Sequence, residues 1–222
     1  MALTATASNH FKYALANKLV DLAADNIKAM LMRDGFVFNK DNHATLINVK
    51  ATKAATTIAI SAGLAITDSG NGFITAGFVP GNQITVSGFT EGGNNATKII
   101  STVAAGTIVV TDTAGLVEEA AGDMVTVESN DEIVAENGYS AGGASLTSPV
   151  LTENDTTDKA VFTCADVDIT ATGGDLDPTP GAILYDNTNT EKTIIGYLDF
   201  DGDYTLVEDA SLRLSNLKIE TA

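Results

Sequence analysis

Few side chains in this 222-residue chain are equipped for chemistry: two histidines, one cysteine, and carboxylates that recur at alternating positions. The most suggestive run is Asp199-Phe200-Asp201-Gly202-Asp203, which sets an oxygen ligand at every second residue, as the start of a calcium loop does. A complete loop of that type starting at Asp199 needs glycine where Tyr204 stands and glutamate where Ala210 stands. The run is therefore read as a solvated hairpin turn, with Asp199, Asp201 and Asp203 kept as the candidate cation ligands. Gly138-Tyr139-Ser140-Ala141-Gly142 spells the G-x-S-x-G of a nucleophile elbow. That device needs a strand-to-helix turn and a histidine later in the chain; no histidine follows Ser140, and strand-like segments do. The segment is read as a glycine-rich turn. His10 opens a helical pattern and His43 sits in the polar run Lys40-Asp41-Asn42-His43-Ala44, so each is read as a surface or capping residue. Cys164, in an apolar segment, reads as a buried inert thiol, and a single cysteine excludes an internal disulfide or a zinc site built on paired cysteines. Asp166 and Asp168 alternate on one strand and are expected to face solvent together. Catalytic residues, metal and cofactor are all expected to be absent.

These residues need elements to hold them. Phe11, Leu15, Leu19 and Leu22 recur at helical spacing across residues 8–23, one stripe of an amphipathic helix, with Ser8 or Asn9 as its N-cap. Ile27–Met32 is either a short buried strand or a further helical turn, and the strand is favoured because Gly35 follows soon after. From about Thr56 the texture changes to short Ile/Val/Thr segments between Gly/Asn turns: residues 56–60, 83–89, 97–103, 107–112 and 124–129 read as strands. After residue 130 the strand candidates are 150–155, 159–169, 181–186, 193–200 and 210–219, the last with a break in its alternation near Asn216 that suggests a bulge. Asp175–Pro180 reads as a loop. The expected class is mainly β: a β-sandwich or barrel with one N-terminal amphipathic helix, plus an inserted small β-barrel or sandwich. The helix and first strand have too little core of their own, so residues 1–50 should pack with 129–222, leaving 51–128 as the insertion.

Charge narrows the function classes. The formal net charge is −17, and it is uneven: residues 1–50 carry six Lys/Arg against four Asp/Glu, whereas residues 129–222 carry four against eighteen. Nucleic-acid affinity comes largely from cations neutralising phosphates, so a nucleic-acid partner is not expected. No run of about 18 apolar residues is present to span a membrane, and no secretory signal pattern is visible. The sequons at Asn95 and Asn154 accordingly carry little weight.

Several segments, taken in order, resemble a set of tailed-bacteriophage virion proteins. Phe11–Met32 is similar to their opening helix followed by an Asp-x-Ile-Lys strand. Residues 138–170 resemble their central signature, a Gly-Tyr-x-Ala-Gly-Gly turn, a polar strand and an Ala-x-Phe-x-x-x-Asp-Val strand. Residues 181–186 and 194–200 resemble their closing strands. The resemblance covers residues 9–48 and 133–217 and departs where Val167-Asp168-Ile169 stands in a strand that often holds Trp. Residues 77–89 and 116–127 are similar to small β modules inserted in phage structural proteins. The resemblance implies a non-enzymatic virion component, made in the host cytoplasm and placed on the capsid exterior. As a decoration (cement) protein it would bind the major capsid protein as a dimer or trimer. Lys12, Lys18, Lys28 and Arg33, in the basic N-terminal part, are the expected docking residues, and Ala210–Ile219 is a candidate edge for pairing with a neighbouring chain. The alternative is a tail, baseplate or fibre component whose insertion is a host-surface or glycan-binding module; Phe73, Phe78, Phe89 or Tyr139 would stack on sugars if exposed, but each is expected to be core.

Overall fold

The computed structural model describes residues 5–221. The protein is mainly β, 42% strand and 6% helical, in several antiparallel sheets with one short α-helix near the N-terminus. It divides into two compact units, Met1–Leu46 with Glu132–Ala222, and Ile47–Asp131.

The helix of the first unit runs only from Asn9 to Ala16. Ser8 is its N-cap: the buried hydroxyl accepts the Phe11 N–H at 3.0 Å and donates to the Ile194 carbonyl at 2.6 Å. Such a cap is worth about 1 kcal/mol. The hydrophobic stripe predicts a longer helix, to residue 23, and the backbone overrules it. Lys18 turns left-handed (φ 57°), Leu19 N–H bonds back to the Ala14 carbonyl at 2.9 Å, and Lys18 N–H to that of Leu15 at 3.0 Å. This is a Schellman stop made without glycine. Leu19 is consequently 44% exposed, and Leu22 reaches the core from the following loop.

Five antiparallel strands form the main sheet, in the order Thr6–Ala7, Ile194–Leu206, Leu176–Asp186, Ile27–Leu31, Ala144–Ser145. A three-stranded sheet (Val150–Asn154, Lys159–Thr163, Lys218–Thr221) and a two-stranded one (Val167–Thr170, Ser211–Leu214) share its core. One cluster joins Leu31, Leu184 and Leu198 of the first sheet, Phe162 and Ile219 of the second, Ile169 and Leu214 of the third, and Phe11 of the helix. The arrangement is sandwich-like. Ile27–Leu31 is buried on both faces, which explains its unbroken apolar run in place of alternation. The far face carries Tyr197, whose ring meets those of Phe36 and Phe38, 5.7 and 5.5 Å between centroids.

Three sequence expectations fail here for one reason, irregular pairing. Asp175–Pro180 is not a loop; from Leu176 onward it is the start of an eleven-residue strand. Its register slips between Leu176 and Thr179 and again between Thr179 and Gly181, so Pro178 and Pro180 fall where the ladder is already broken and no donor is missed. The Asp199–Asp203 run is not a hairpin turn. It lies inside Ile194–Leu206, where Gly181↔Asp199 and Thr179↔Tyr204 are successive pairs. The surplus residues bulge out, with Asp201 at φ 60° and Gly202 at φ 143°. Finally, residues 159–169 and 210–219 each divide into two strands belonging to different sheets. The second break is at Asn216 (φ 52°), where a change of sheet replaces the expected bulge.

The second unit is one seven-stranded antiparallel sheet, in the order Thr52–Ala55, Val125–Ser129, Gln83–Ser87, Thr97–Ala104, Thr107–Val110, Ile66–Asp68, Ile58–Ile60. Its two outermost strands are consecutive in the chain, so the sheet must roll up on itself, yet it does not close into a barrel. Phe73, Phe78, Ile84, Ile100 and Val127 fill the middle. The turn after Ile66–Asp68 is held by Asp68, whose carboxylate accepts the Thr57 hydroxyl at 2.5 Å and the Gly70 and Gly72 N–H groups at 2.9 Å each. Burial pushes the Asp68 pKa up, but those hydrogen bonds, with Lys53 at 3.8 Å, outweigh it and hold the group below the usual range.

Candidate interaction surface

The expected docking cations do not share one element. Lys12 is exposed on the helix, and Lys18 is the exposed left-handed residue of its stop. Lys28 is half-buried in the central strand Ile27–Leu31, paired with Tyr185 and Ser145, with its Nζ beside Gly142. Arg33 is half-buried after that strand, and its Nη1 donates to the Asp34 carbonyl at 2.7 Å. Asp199, Asp201 and Asp203 are all exposed, and among the described residues no three His, Cys, Asp or Glu side chains converge on a metal position.

Among the described residues, the partners of the two histidines do not include Ser140. His10 Nε2 lies 3.5 Å from Glu191. His43 is 1% exposed and so is not a surface residue. Its Nδ1 accepts the Asn39 N–H at 3.0 Å, and its ring packs against Phe36 and Phe38, 5.2 and 5.6 Å between centroids. Burial pushes its pKa down to about 4. Cys164 is half-buried, with burial and then Asp166 raising its pKa. Asp166 and Asp168 are exposed, and Asp168 pairs in a bidentate manner with Arg213 at 2.6 and 2.7 Å. The aromatics offered for sugar stacking are core: Phe73, Phe78, Phe89 and Tyr139 are at most 5% exposed.

What stands out is an arm. Residues 147–158 are exposed without interruption, and within them Val150–Asn154 forms the outer strand of its sheet, paired among the described residues only with Lys159–Thr163. Val150 and Leu151 are each 51% exposed. At the base of the arm, Leu151 and Ala160 meet Leu15, Lys18, Val20, Asp21 and Leu22 around a groove of about 380 Å³. The helix stop thus contributes one wall of this groove, and the arm the other. An unpaired edge with exposed aliphatic residues is a template for another chain.

The turn that launches the arm is bolted to the sheet. Glu132 Oε1 accepts the Tyr139 hydroxyl at 2.8 Å and the Gly142 N–H at 2.5 Å. The Tyr139 oxygen in turn accepts the Leu31 N–H at 3.0 Å, and the Tyr185 hydroxyl donates to the Gly142 carbonyl at 2.8 Å. Burial and the Glu132 charge raise the pKa of both phenols, Tyr185 to about 12. Gly143 (φ 72°) sits so close to the neighbouring strand that a Cβ there would lie 1.9 Å from the Ala29 carbonyl oxygen. G-x-S-x-G is therefore a structural turn in which Tyr139, not Ser140, is the anchored residue. The sequence offered Val150–Asp155 as a strand; its exposure depends on how far the hairpin projects, which no spacing of residues records. No family model, curated protein or solved structure matches the chain.

Proposed function

We propose that the chain is a non-enzymatic structural protein of a tailed-bacteriophage virion, a decoration protein that binds the outer face of the major capsid protein lattice and stabilises the head. The observation that carries this reading is the arm with its groove: an aliphatic, edge-exposing surface suited to a protein partner. The resemblance supports it, since both stretches that carry it, 9–48 and 133–217, belong almost wholly to the unit that bears the arm. The uneven charge supports it too, because most of the acidic residues of 129–222 lie outside the arm and would keep a crowded shell soluble. A tail or fibre reading with a glycan-binding insertion gains no support from Phe73, Phe78 and Phe89, which are core as expected. The docking residues are then those of the arm and its groove, which retains Lys18 of the four expected cations.

Leu151→Lys tests this assignment. The side chain is half-exposed, so the fold should lose no more than about 0.5 kcal/mol. Co-sedimentation with capsids lacking the protein should fall at least about tenfold, the effect of one central interface residue worth more than 1.4 kcal/mol. Undiminished co-sedimentation of a folded Leu151→Lys chain would remove the arm from the interface.

A further inference from the structure

The end of the strand Leu176–Asp186 holds a buried carboxyl beside a second one. Asp186 is fully buried. Its Oδ1 accepts the Thr188 N–H at 2.7 Å and, more weakly, the Asn189 N–H at 3.4 Å, while its Oδ2 is buried with no donor among the described residues. Its neighbour is another carboxyl, Asp25, near enough to form a hydrogen bond if either is protonated; burial first, then Asp25, drive the Asp186 pKa up. One Asp25 oxygen accepts the Asp21 N–H at 2.6 Å. The nearby ammonium of Lys192 does not help, because it donates to the carbonyl and side-chain oxygens of Asn187. Two carboxyls in contact, one with an orphaned buried oxygen, are held together by a shared proton or by a cation between them.

We propose that Asp25 and Asp186 hold a divalent cation of the calcium type. All the surrounding groups are hard oxygen donors or amides, with neither sulfur nor imidazole among the hydrogen-bond partners named above. Asp25 is only half-buried, which gives an ion a way in, and the strongly acidic chain raises the local concentration of cations. With two carboxylates, carbonyl oxygens and water must complete the shell, so the affinity belongs at the weak end, a Kd of about 10⁻⁴–10⁻³ M. The cation has a structural task. It ties the loop after the helix to the hairpin Asp186–Thr193, two segments already joined by Asn26 N–H to Thr188 Oγ1 (2.8 Å), Asn187 N–H to the Asn26 carbonyl (2.9 Å) and Asn189 Nδ2 to the Leu19 carbonyl (3.2 Å). That loop supplies Val20, Asp21 and Leu22 to the groove, so the ion would stiffen one groove wall. The bulged Asp199–Asp203 run plays no part.

The test is thermal unfolding of chelator-stripped protein at constant ionic strength, with calcium raised to about 10 mM. Tyrosine fluorescence reads the first unit alone, because all five tyrosines lie in it. Wild type should gain about 5 °C with saturation, Asp199→Asn should gain the same, and Asp186→Asn should gain nothing. If Asp186→Asn does not fold, Asp25→Asn on the half-exposed partner replaces it. A flat wild-type response, or an equal gain in the pair variant, would overturn the proposal. A flat response together with an Asp186→Asn chain as stable as wild type would show that the pair holds only a proton, since the Asn amide then donates permanently to Asp25.

Discussion

Gly143→Ala is expected to lower the midpoint of unfolding of the first unit by roughly 10 °C, a loss of about 4 kcal/mol. Two costs combine. A left-handed backbone at φ 72° disfavours any residue with a Cβ by about 1–2 kcal/mol. The second cost is larger: the Cβ would stand 1.9 Å from the Ala29 carbonyl oxygen and 2.6 Å from its carbon, backbone atoms of a strand buried in the sheet. Moving the turn away breaks the Ala144↔Ala29 pairing and pulls Gly142 from Glu132 and Tyr185. Gly173→Ala isolates the first cost, since Gly173 is also left-handed (φ 86°) but has open space where the Cβ would go. Tyrosine fluorescence on heating should show the Gly143 variant losing several times more than the Gly173 variant. Equal losses would mean that the turn is not held against the sheet in solution.

The second large effect is a loss of stability on mild acidification caused by His43. Its Nδ1 accepts the Asn39 N–H, and its Nε2 is buried without a partner among Phe36 and Phe38, so the folded state resists protonation until pH falls to about 4. The unfolded chain takes up that proton near pH 6.5. Between the two values the unfolded state binds more protons, so stability is fully present above 6.5 and drains as pH falls through the window. At roughly 1.4 kcal/mol per pH unit the full loss is about 3 kcal/mol. Asp168 and Glu220, whose pKa values are lowered by Arg213 and Lys159, lose their contributions below the ordinary carboxylate range, and Asp186, raised by burial, acts in the opposite sense. His43→Phe keeps an aromatic ring in the cluster and abolishes the titration. Denaturant unfolding at pH 7 and pH 4.5 should therefore show a large pH effect in wild type that is mostly gone in the variant. The same pH effect in both chains would place His43 in water.

The sequence made the class legible because class depends on local pattern. Ser8 capped the helix as its residue type suggests, and short Ile/Val/Thr runs between glycines became strands in both units. Errors arose where a tertiary arrangement set the backbone. Lys18 adopts a conformation usually left to glycine, so the stripe Phe11–Leu22 suggested a helix that stops at Ala16. Pro178 and Pro180 looked like loop residues because a ladder slip that frees them from donating cannot be seen in one strand alone. His43 looked solvated among Lys40, Asp41 and Asn42, since the rings that bury it include Phe36 and Phe38 from an irregular segment. The arm was legible as a strand and not as a surface. Its hydrophobic residues, Val150 and Leu151, are ordinary strand residues whose exposure follows from both faces of Val150–Asn154 being uncovered.

As proposed, the chain coats the head of a virion through its arm. Cryo-electron microscopy of purified virions, with the chain quantified by mass spectrometry, tests it most directly. Hundreds of copies in register with the capsid lattice are expected, with residues 147–158 against the major capsid protein or a neighbouring copy. A handful of copies per particle, or density confined to the tail, would contradict it.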